Sequence, residues 1–322
     1  MSLKKVKKKL EKQHYAVVGR NMHSAVQICR WTKHSLIDEG ECYKEKFYGI
    51  KSHLCCQMSP YIGCFNECLH CWRPIELNKG IKIKKFDAPE EIIESCISAQ
   101  QKMISGFGGN KKLNNQKFKE AQEPMQFAIS LIGEPTIYPK LAELIIELRE
   151  RRKTSFLVTN GLLPERLKEL QEKNALPTQL YISLNTPNEK MYNFWHKSKI
   201  KNAWGKFNES LDVMKKLKGE TRTVIRMTLV KELNMKDEQI KDYVELIRKA
   251  KPDFIEVKGY MAVGFARKRL DYDTMPSHED IKLFAEKLAK ELGDKIKILD
   301  EKEFSRVVVL GKDKKKLKIR GV

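Results

Sequence analysis

Cys64, Cys68 and Cys71 fall within eight residues, in the stretch GCFNECLHCWRP (63–74). Three thiols spaced C-x3-C-x2-C on one loop can wrap one face of an iron–sulfur cubane and leave its fourth iron without a protein ligand. Such an open iron can chelate the amino and carboxylate groups of S-adenosylmethionine. An electron passed from the cluster then splits the sulfonium and yields a 5′-deoxyadenosyl radical. A zinc site built from the same cysteines and His70 competes with that reading. His70 adjoins Cys71, however, and adjacent residues seldom both reach one tetrahedral ion without distortion, so the spacing favours the cluster.

All eight cysteines (Cys29, Cys42, Cys55, Cys56, Cys64, Cys68, Cys71 and Cys96) lie in the first third of the 322-residue chain. In a reducing compartment such crowding points to metal ligation or redox chemistry rather than disulfides. Cys29, Cys42 and Cys55 recur at intervals of 13 residues. Spacing alone does not separate a second ligand set from thiols buried in a core.

The elements that must hold these side chains follow from the patterning. Apolar runs at 53–59, 125–135, 154–161, 179–187, 221–230 and 253–261 read as strands. Helical periodicity at 89–105, 139–152, 164–173, 188–217, 237–250 and 278–292 fills the gaps. Six β-then-α units predict an α/β protein with a parallel sheet, as a partial barrel or an open doubly wound sheet. Either architecture binds ligands at the C-terminal ends of its strands. Polar residues gather there: Gly133 and Glu134 after the second strand, Thr159 and Asn160 after the third, Ser183 and Asn185 after the fourth. Arg226 lies inside the fifth strand and Lys258 at the end of the last. A charged Glu134 closing an apolar strand invites an ammonium partner, whereas Asn160 and Asn185 also suit ordinary turns. Residues 106–123 read as a mobile polar surface loop. Its Gly106, Gly108 and Gly109 follow a helix, the wrong context for a phosphate cradle. IKILD (296–300) and SRVVVLG (305–311) predict paired edge strands.

Lys and Arg outnumber Asp and Glu by 63 to 42, a formal net charge of +21. Both ends contribute: residues 1–12 hold six lysines against Glu11, and residues 311–322 hold five lysines and Arg320 against Asp313. The surplus suits a polyanion, driven by counterion release from phosphates; a solvated lysine surface is the plainer alternative. No apolar run approaches the roughly 18–20 residues of a membrane span, and no apolar stretch follows the first lysines as a signal peptide requires. A soluble cytoplasmic protein is expected.

The triad at the end of a first strand, followed by repeated β/α units, resembles the radical S-adenosylmethionine superfamily. The resemblance implies a partial (β/α)6 TIM-like barrel with an N-terminal cysteine-bearing extension. It places His70 where the family has an aromatic ring near the adenine. Gly133-Glu134-Pro135 becomes the segment that holds the cofactor's amino group, with Ile132 in place of the usual first glycine. Thr159, Asn160, Ser183 and Asn185 take the positions that contact its ribose and carboxylate, and Arg226 pairs with that carboxylate.

QICRW (27–31), ECYKEKFYGI (41–50) and SHLCCQMSP (52–60), read with the triad, resemble the 4-demethylwyosine synthase family over nearly the whole chain. This implies a second 4Fe–4S cluster on Cys29, Cys42 and Cys55, hence two clusters, with Cys56 and Cys96 as bystanders. The implied reaction condenses pyruvate with N1-methylguanosine 3′ of the anticodon in tRNA-Phe. A hydrogen leaves the N1-methyl group and the methylene radical adds to the pyruvate carbonyl carbon. The carboxylate carbon is then lost and the ring closes on the exocyclic amine, a carbon–carbon lyase reaction.

Pyruvate is to be held on the second cluster or as a Schiff base. Lys44 matches the family's lysine, and Lys258 is its rival. The base must be splayed into a pocket, with Trp72 and Arg73 as candidate contacts and Lys197, Lys199 and Lys201 facing RNA. Tyr192, Trp195 and Trp204 are expected in the core. Eukaryotic members carry a flavodoxin-like domain that these residues lack, so an external electron donor and a monomer are expected. The organisation reads as a basic tail (1–14), the extension (15–52), the barrel core (53–300), and a C-terminal strand with a basic tail (301–322). The competing readings are another radical enzyme acting on RNA and a zinc-stabilised RNA-binding module.

Overall fold

The computed structural model describes residues 3–78 and 83–319; Arg320 of the basic C-terminal run lies outside them. The chain opens with α1 (Leu3–Glu11), the hairpin β1 (Ala16–Val18) and β2 (Ser24–Gln27), then α2 (Arg30–Leu36) and α3 (Tyr43–Tyr48). Next come β3 (Cys55–Ser59), α4 (Pro89–Ile104), α5 (Asn115–Glu120), β4 (Gln126–Ile129), α6 (Leu141–Glu150), β5 (Thr154–Thr159) and α7 (Pro164–Glu172). They are followed by β6 (Gln179–Ser183), α8 (Glu189–His196), α9 (Ala203–Lys216), β7 (Arg222–Leu229) and α10 (Ile240–Ala250). The chain ends with β8 (Phe254–Gly259), α11 (His278–Leu292), β9 (Lys297–Lys302) and β10 (Val307–Gly311). The helix starts obey local chemistry: α4 has Pro89 at its first turn with Glu90 and Glu91 behind it, and Ser277 caps α11.

The sheet order is β1-β2-β3-β4-β5-β6-β7-β8-β10-β9. Strands β3 to β8 are parallel, and each is followed by at least one helix. The two flanking pairs are antiparallel. Among the described residues no ladder joins β1 to β9, so the barrel stays open. Its two faces follow the period of two along each strand. Met58, Ile129, Leu157, Ile182, Met227 and Val257 face outward into one core with the surrounding helices. Phe156, Tyr181, Val224 and Phe254 point the other way, with Val307 and Val309 of β10. There they meet Tyr43, Phe47 and Tyr48 of α3. A short helix from the extension therefore fills the barrel's interior, a space that a closed eight-stranded barrel fills with strand side chains alone.

Four expectations change. Residues 1–14 are not a simple tail: Val6 and Leu10 of α1 are buried against Tyr15, Val17, Ile62 and Leu131. Residues 106–123 are not a bare loop. They contain α5, and Phe107, Leu113 and Phe118 pack beside Leu36 of α2, because their apolar side chains need cover. Strand β10 is not at the edge. Its run VVVLG is buried throughout and lies between β8 and β9, as an apolar strand covered on both faces must. Strand β9 also crosses the expected boundary at residue 300. Among the described residues no helix is long and apolar enough to cross a membrane.

Candidate active site

The loop after β3 carries Cys64, Cys68 and Cys71, and the end of α8 fixes its path. The last carbonyls of a helix lack partners within it. Here His196 O accepts from Glu67 N at 2.8 Å and Trp195 O from Leu69 N at 3.0 Å. Arg269 closes the far side of the loop, its guanidinium donating to the carbonyls of Leu69 and Cys71. Two of the three sulfurs have polar company. Asn66 N donates to Cys64 Sγ at 3.4 Å and Asn160 Nδ2 at 3.7 Å, while His196 Nδ1 lies 3.0 Å from Cys68 Sγ.

Burial, then the nearby Glu134 charge, pushes the Cys64 thiol up to about 12. Burial also drives Cys68 well upward, with Cys64 and Cys71 opposing its ionisation. Three soft donors on one loop, two of them disfavoured as free anions, suit a cationic iron–sulfur core. The zinc alternative fares worse. His70 Nδ1 already accepts from Trp195 Nε1 at 2.7 Å. Burial, with help from Arg226 and Arg269, lowers His70 to about 4, and burial with His70 lowers His196 to about 3. Both rings are neutral.

Beneath Cys64 the strand-end residues form one network. Glu134 is buried, and its carboxylate accepts from Thr136 Oγ1 (2.7 Å), Thr159 Oγ1 (2.6 Å) and Asn160 N (2.9 Å). These neutral donors make the carboxylate a clamp between β4 and β5. Gly133 explains how this segment reaches the cysteine loop. Its φ is +73°, and a Cβ there would overlap Tyr61 O and come within 2.6 Å of Gly63 O. The approach lets Glu134 N donate to Gly63 O at 2.8 Å. Asn185 is buried between two strands. Its Oδ1 accepts from Thr228 N at 3.0 Å and its carbonyl from Asn234 Nδ2 at 2.7 Å, tying β6 to β7.

Above the network lies a cavity of about 880 Å³. Gln57, Ser130, Val158, Ser183, Arg226 and Lys258 bring all six parallel strands to it, and Cys29, His70, Cys71, Trp72 and Arg73 complete its wall. Arg73 stacks over Trp72 at 4.1 Å, donates to Ser130 O at 3.0 Å, and keeps a buried Nε without a partner. Arg226 lies 3.9 Å from the fully buried Glu256 carboxylate. That carboxylate also accepts from Tyr43 Oη (3.0 Å) and Tyr48 Oη (2.6 Å) of α3.

The upstream cysteines meet on the extension side of the same cavity. Burial and the nearby Cys29 push Cys42 up to about 12, and burial with Cys29 and Cys42 raises Cys55 well above its usual range. Lys44 is near all three thiols. Its ammonium lies 5.1 Å from the Phe156 ring and 5.0 Å from the Tyr181 ring. These residues are one inward step below Val158 and Ser183 on the cavity wall. Lys44 is 8% exposed and makes no hydrogen bond or ion pair with a described residue; burial, then Arg226, lowers its pKa. Lys258 faces the cavity itself, yet its Nζ donates to Ser305 O.

Of the RNA-facing expectations, Trp72 and Arg73 reach the cavity, and Tyr192 and Trp195 are core residues with Trp204 packed beside them. Glu256, Arg269 and His196 gave no signal in sequence. Glu256 sits inside the apolar run DFIEVKGYM, where a lone acid at an inward position was the only available hint.

The Radical SAM superfamily model matches residues 58–247, and the model for Wyosine base formation matches residues 249–312. The S-adenosyl-L-methionine-dependent tRNA 4-demethylwyosine synthase of Pyrococcus abyssi (strain GE5 / Orsay) is 47% identical over 304 residues, covering 94% of this chain and 87% of its own length. The chain belongs to the tRNA 4-demethylwyosine synthase family. Two solved structures are similar to this family member throughout. "Structure of TYW1 with a lysine-pyruvate adduct bound" superposes with a TM-score of 0.84 at 36% identity, over 98% of this chain and 97% of that one. "Crystal structure of archaeal TYW1" gives 0.78 at 34% identity, over 99% of each. A radical S-adenosylmethionine synthase of this family is an enzyme that uses a 4Fe–4S cluster and S-adenosylmethionine.

Proposed function

We propose that the chain is a tRNA 4-demethylwyosine synthase, joining two carbons of pyruvate to N1-methylguanosine 3′ of the anticodon in tRNA-Phe. The observation that carries this reading is the single cavity on which Cys71, Cys29, Arg226 and Lys258 converge, with Lys44 one layer beneath it. Cys64, Cys68 and Cys71 hold one 4Fe–4S cluster, and Cys29, Cys42 and Cys55 hold a second. When bound, the first cluster with S-adenosylmethionine supplies a primary carbon radical able to take hydrogen from an unactivated methyl group.

The chain's own groups do the positioning. Lys44 is the lysine that condenses with the pyruvate ketone, forming a C=N bond and releasing water. Its slot between Phe156 and Tyr181 supports this, because burial favours the neutral amine that the condensation needs. The likeness to a relative solved with a lysine–pyruvate adduct also supports it. Arg73, with a guanidinium nitrogen still unpaired, is suited to an anionic group of substrate or cofactor, and Trp72 to the face of the flipped base. His70, neutral and held by Trp195, offers a flat ring to the adenine.

The test is anaerobic incubation of reconstituted protein with N1-methylguanosine-bearing tRNA, pyruvate, S-adenosylmethionine and reductant. A gain of two carbons on that nucleoside, read by mass spectrometry, is expected. Release of deoxyadenosine without any such gain overturns the substrate assignment.

A further inference from the structure

Besides Trp72, the cavity is lined by aromatic and basic residues of the extension. Arg30, Trp31, Lys33 and His34 of α2 line it. Phe304, in the turn that joins β9 to β10, meets Trp31 edge-on with ring centres 5.4 Å apart. The Arg30 guanidinium lies 5.1 Å from the Phe304 ring and 5.9 Å from the Trp31 ring. Phe304 is nonetheless 60% exposed. A single exposed ring on a surface needs no explanation. Here two rings from segments some 270 residues apart in the chain meet beside one cation, and one of them, Trp31, lines a cavity large enough for a nucleoside. The turn is also anchored: Lys258 Nζ donates to Ser305 O, and Gly259 N donates to Arg306 O at 2.8 Å. The turn that carries the ring is therefore held at the end of β8, whose Lys258 and Gly259 line the cavity.

Open π faces beside fixed cations are the chemistry that recognises unpaired nucleobases. The rings stack, the guanidinium supports the stack, and Arg30 and Lys33 are placed for flanking phosphates. We propose that Arg30, Trp31 and Phe304 form a stacking platform for an unpaired nucleotide neighbouring the target base, which holds the anticodon loop open while the target enters the cavity. This rests on the tRNA reading above and adds a subsite to it. The net charge of +21 favours RNA over a protein partner as the occupant.

The test compares two RNAs at one fixed salt concentration: a fluorescently labelled anticodon stem-loop and a fully paired duplex of the same stem. Dissociation constants are measured for the wild type, Phe304→Ala and Phe304→Trp. Phe304→Ala is expected to weaken stem-loop binding by roughly 5- to 100-fold, the range for losing one base–aromatic stack. Duplex binding is expected to stay unchanged, and Phe304→Trp to retain stem-loop affinity. Trp31→Leu should repeat the selective loss, with thermal melting used to check its fold. Unchanged stem-loop binding in Phe304→Ala, or an equal loss for both RNAs, overturns the platform while the tRNA reading survives. A wild-type chain that binds neither RNA overturns both.

Discussion

Glu256 joins the barrel to the helix inside it, and its removal has a calculable effect. Its carboxylate accepts from Tyr43 and Tyr48 of α3 and pairs with Arg226. Burial pushes both phenols well above their usual pKa, so they remain donors across the working range. A hydrogen bond to a charged acceptor contributes about 1.5–3 kcal/mol. Glu256→Leu therefore forfeits about 3–6 kcal/mol from the two phenols, offset by about 1–2 kcal/mol from burying leucine. The net loss of about 2–4 kcal/mol falls on the docking of α3 and corresponds to roughly 30- to 1,000-fold faster exchange of its amide hydrogens. Tyr48→Phe removes one such bond, about 1.5–3 kcal/mol, and should give roughly 10- to 150-fold, always less than Glu256→Leu if both phenols bind the carboxylate. Native-state hydrogen exchange over residues 43–49 reads both. If α3 exchanges no faster in Glu256→Leu than in Tyr48→Phe, the carboxylate is not what holds the helix.

Four other outcomes follow from the same geometry. Lys44→Ala should abolish borohydride trapping of pyruvate on the protein while Lys258→Ala leaves it intact, as peptide mass mapping would show. Replacing Cys29, Cys42 and Cys55 together by Ala should remove about four irons per chain from anaerobically reconstituted protein. Gly133→Ala should destabilise the chain by at least about 1–2 kcal/mol from the left-handed backbone alone. It should also lower the iron bound at the Cys64 loop, because the added carbon meets the backbone of Tyr61 and Gly63. Burial, then Arg226, lowers Lys258 to about 8, so the folded chain sheds that proton before the unfolded chain does. Between pH 8 and the ordinary lysine range the unfolded state binds more protons, and stability from this residue rises with pH. Lys258→Met should flatten that rise in urea midpoints measured on metal-free protein.

The parallel framework was legible because its strands are apolar runs and its helices carry a 3.6-residue period, as in TSFLVT followed by PERLKELQE. The triad was legible because its three thiols are local. What escaped has no local signature. Helix α3 is a six-residue segment, too short for periodicity to mark, and the barrel's interior alone gives it cover. Glu256 and the Tyr43–Tyr48 pair acquire meaning only when strands and extension are brought together. Asn185 and Glu134 stood at the expected strand ends, and the scaffold hydrogen bonds their side chains make there had no signal in the sequence. Spacing identifies where a residue stands and says little about which neighbour consumes its hydrogen bonds.

The helix inside the barrel sets an order of events during synthesis. Tyr48 is made early, yet the carboxylate it binds arrives 208 residues later, and β10, which completes its enclosure, later still. Until then the segment bearing Cys29, Cys42 and Cys55 has no finished surface to rest on, and its thiols leave the ribosome uncovered. Contacts this distant in the chain form slowly. Under the two-cluster proposal, a second cluster at these cysteines is assembled only after the last strand is made, and a chain truncated before β10 would lose the surface on which its N-terminal cysteines rest as well as its C-terminal end.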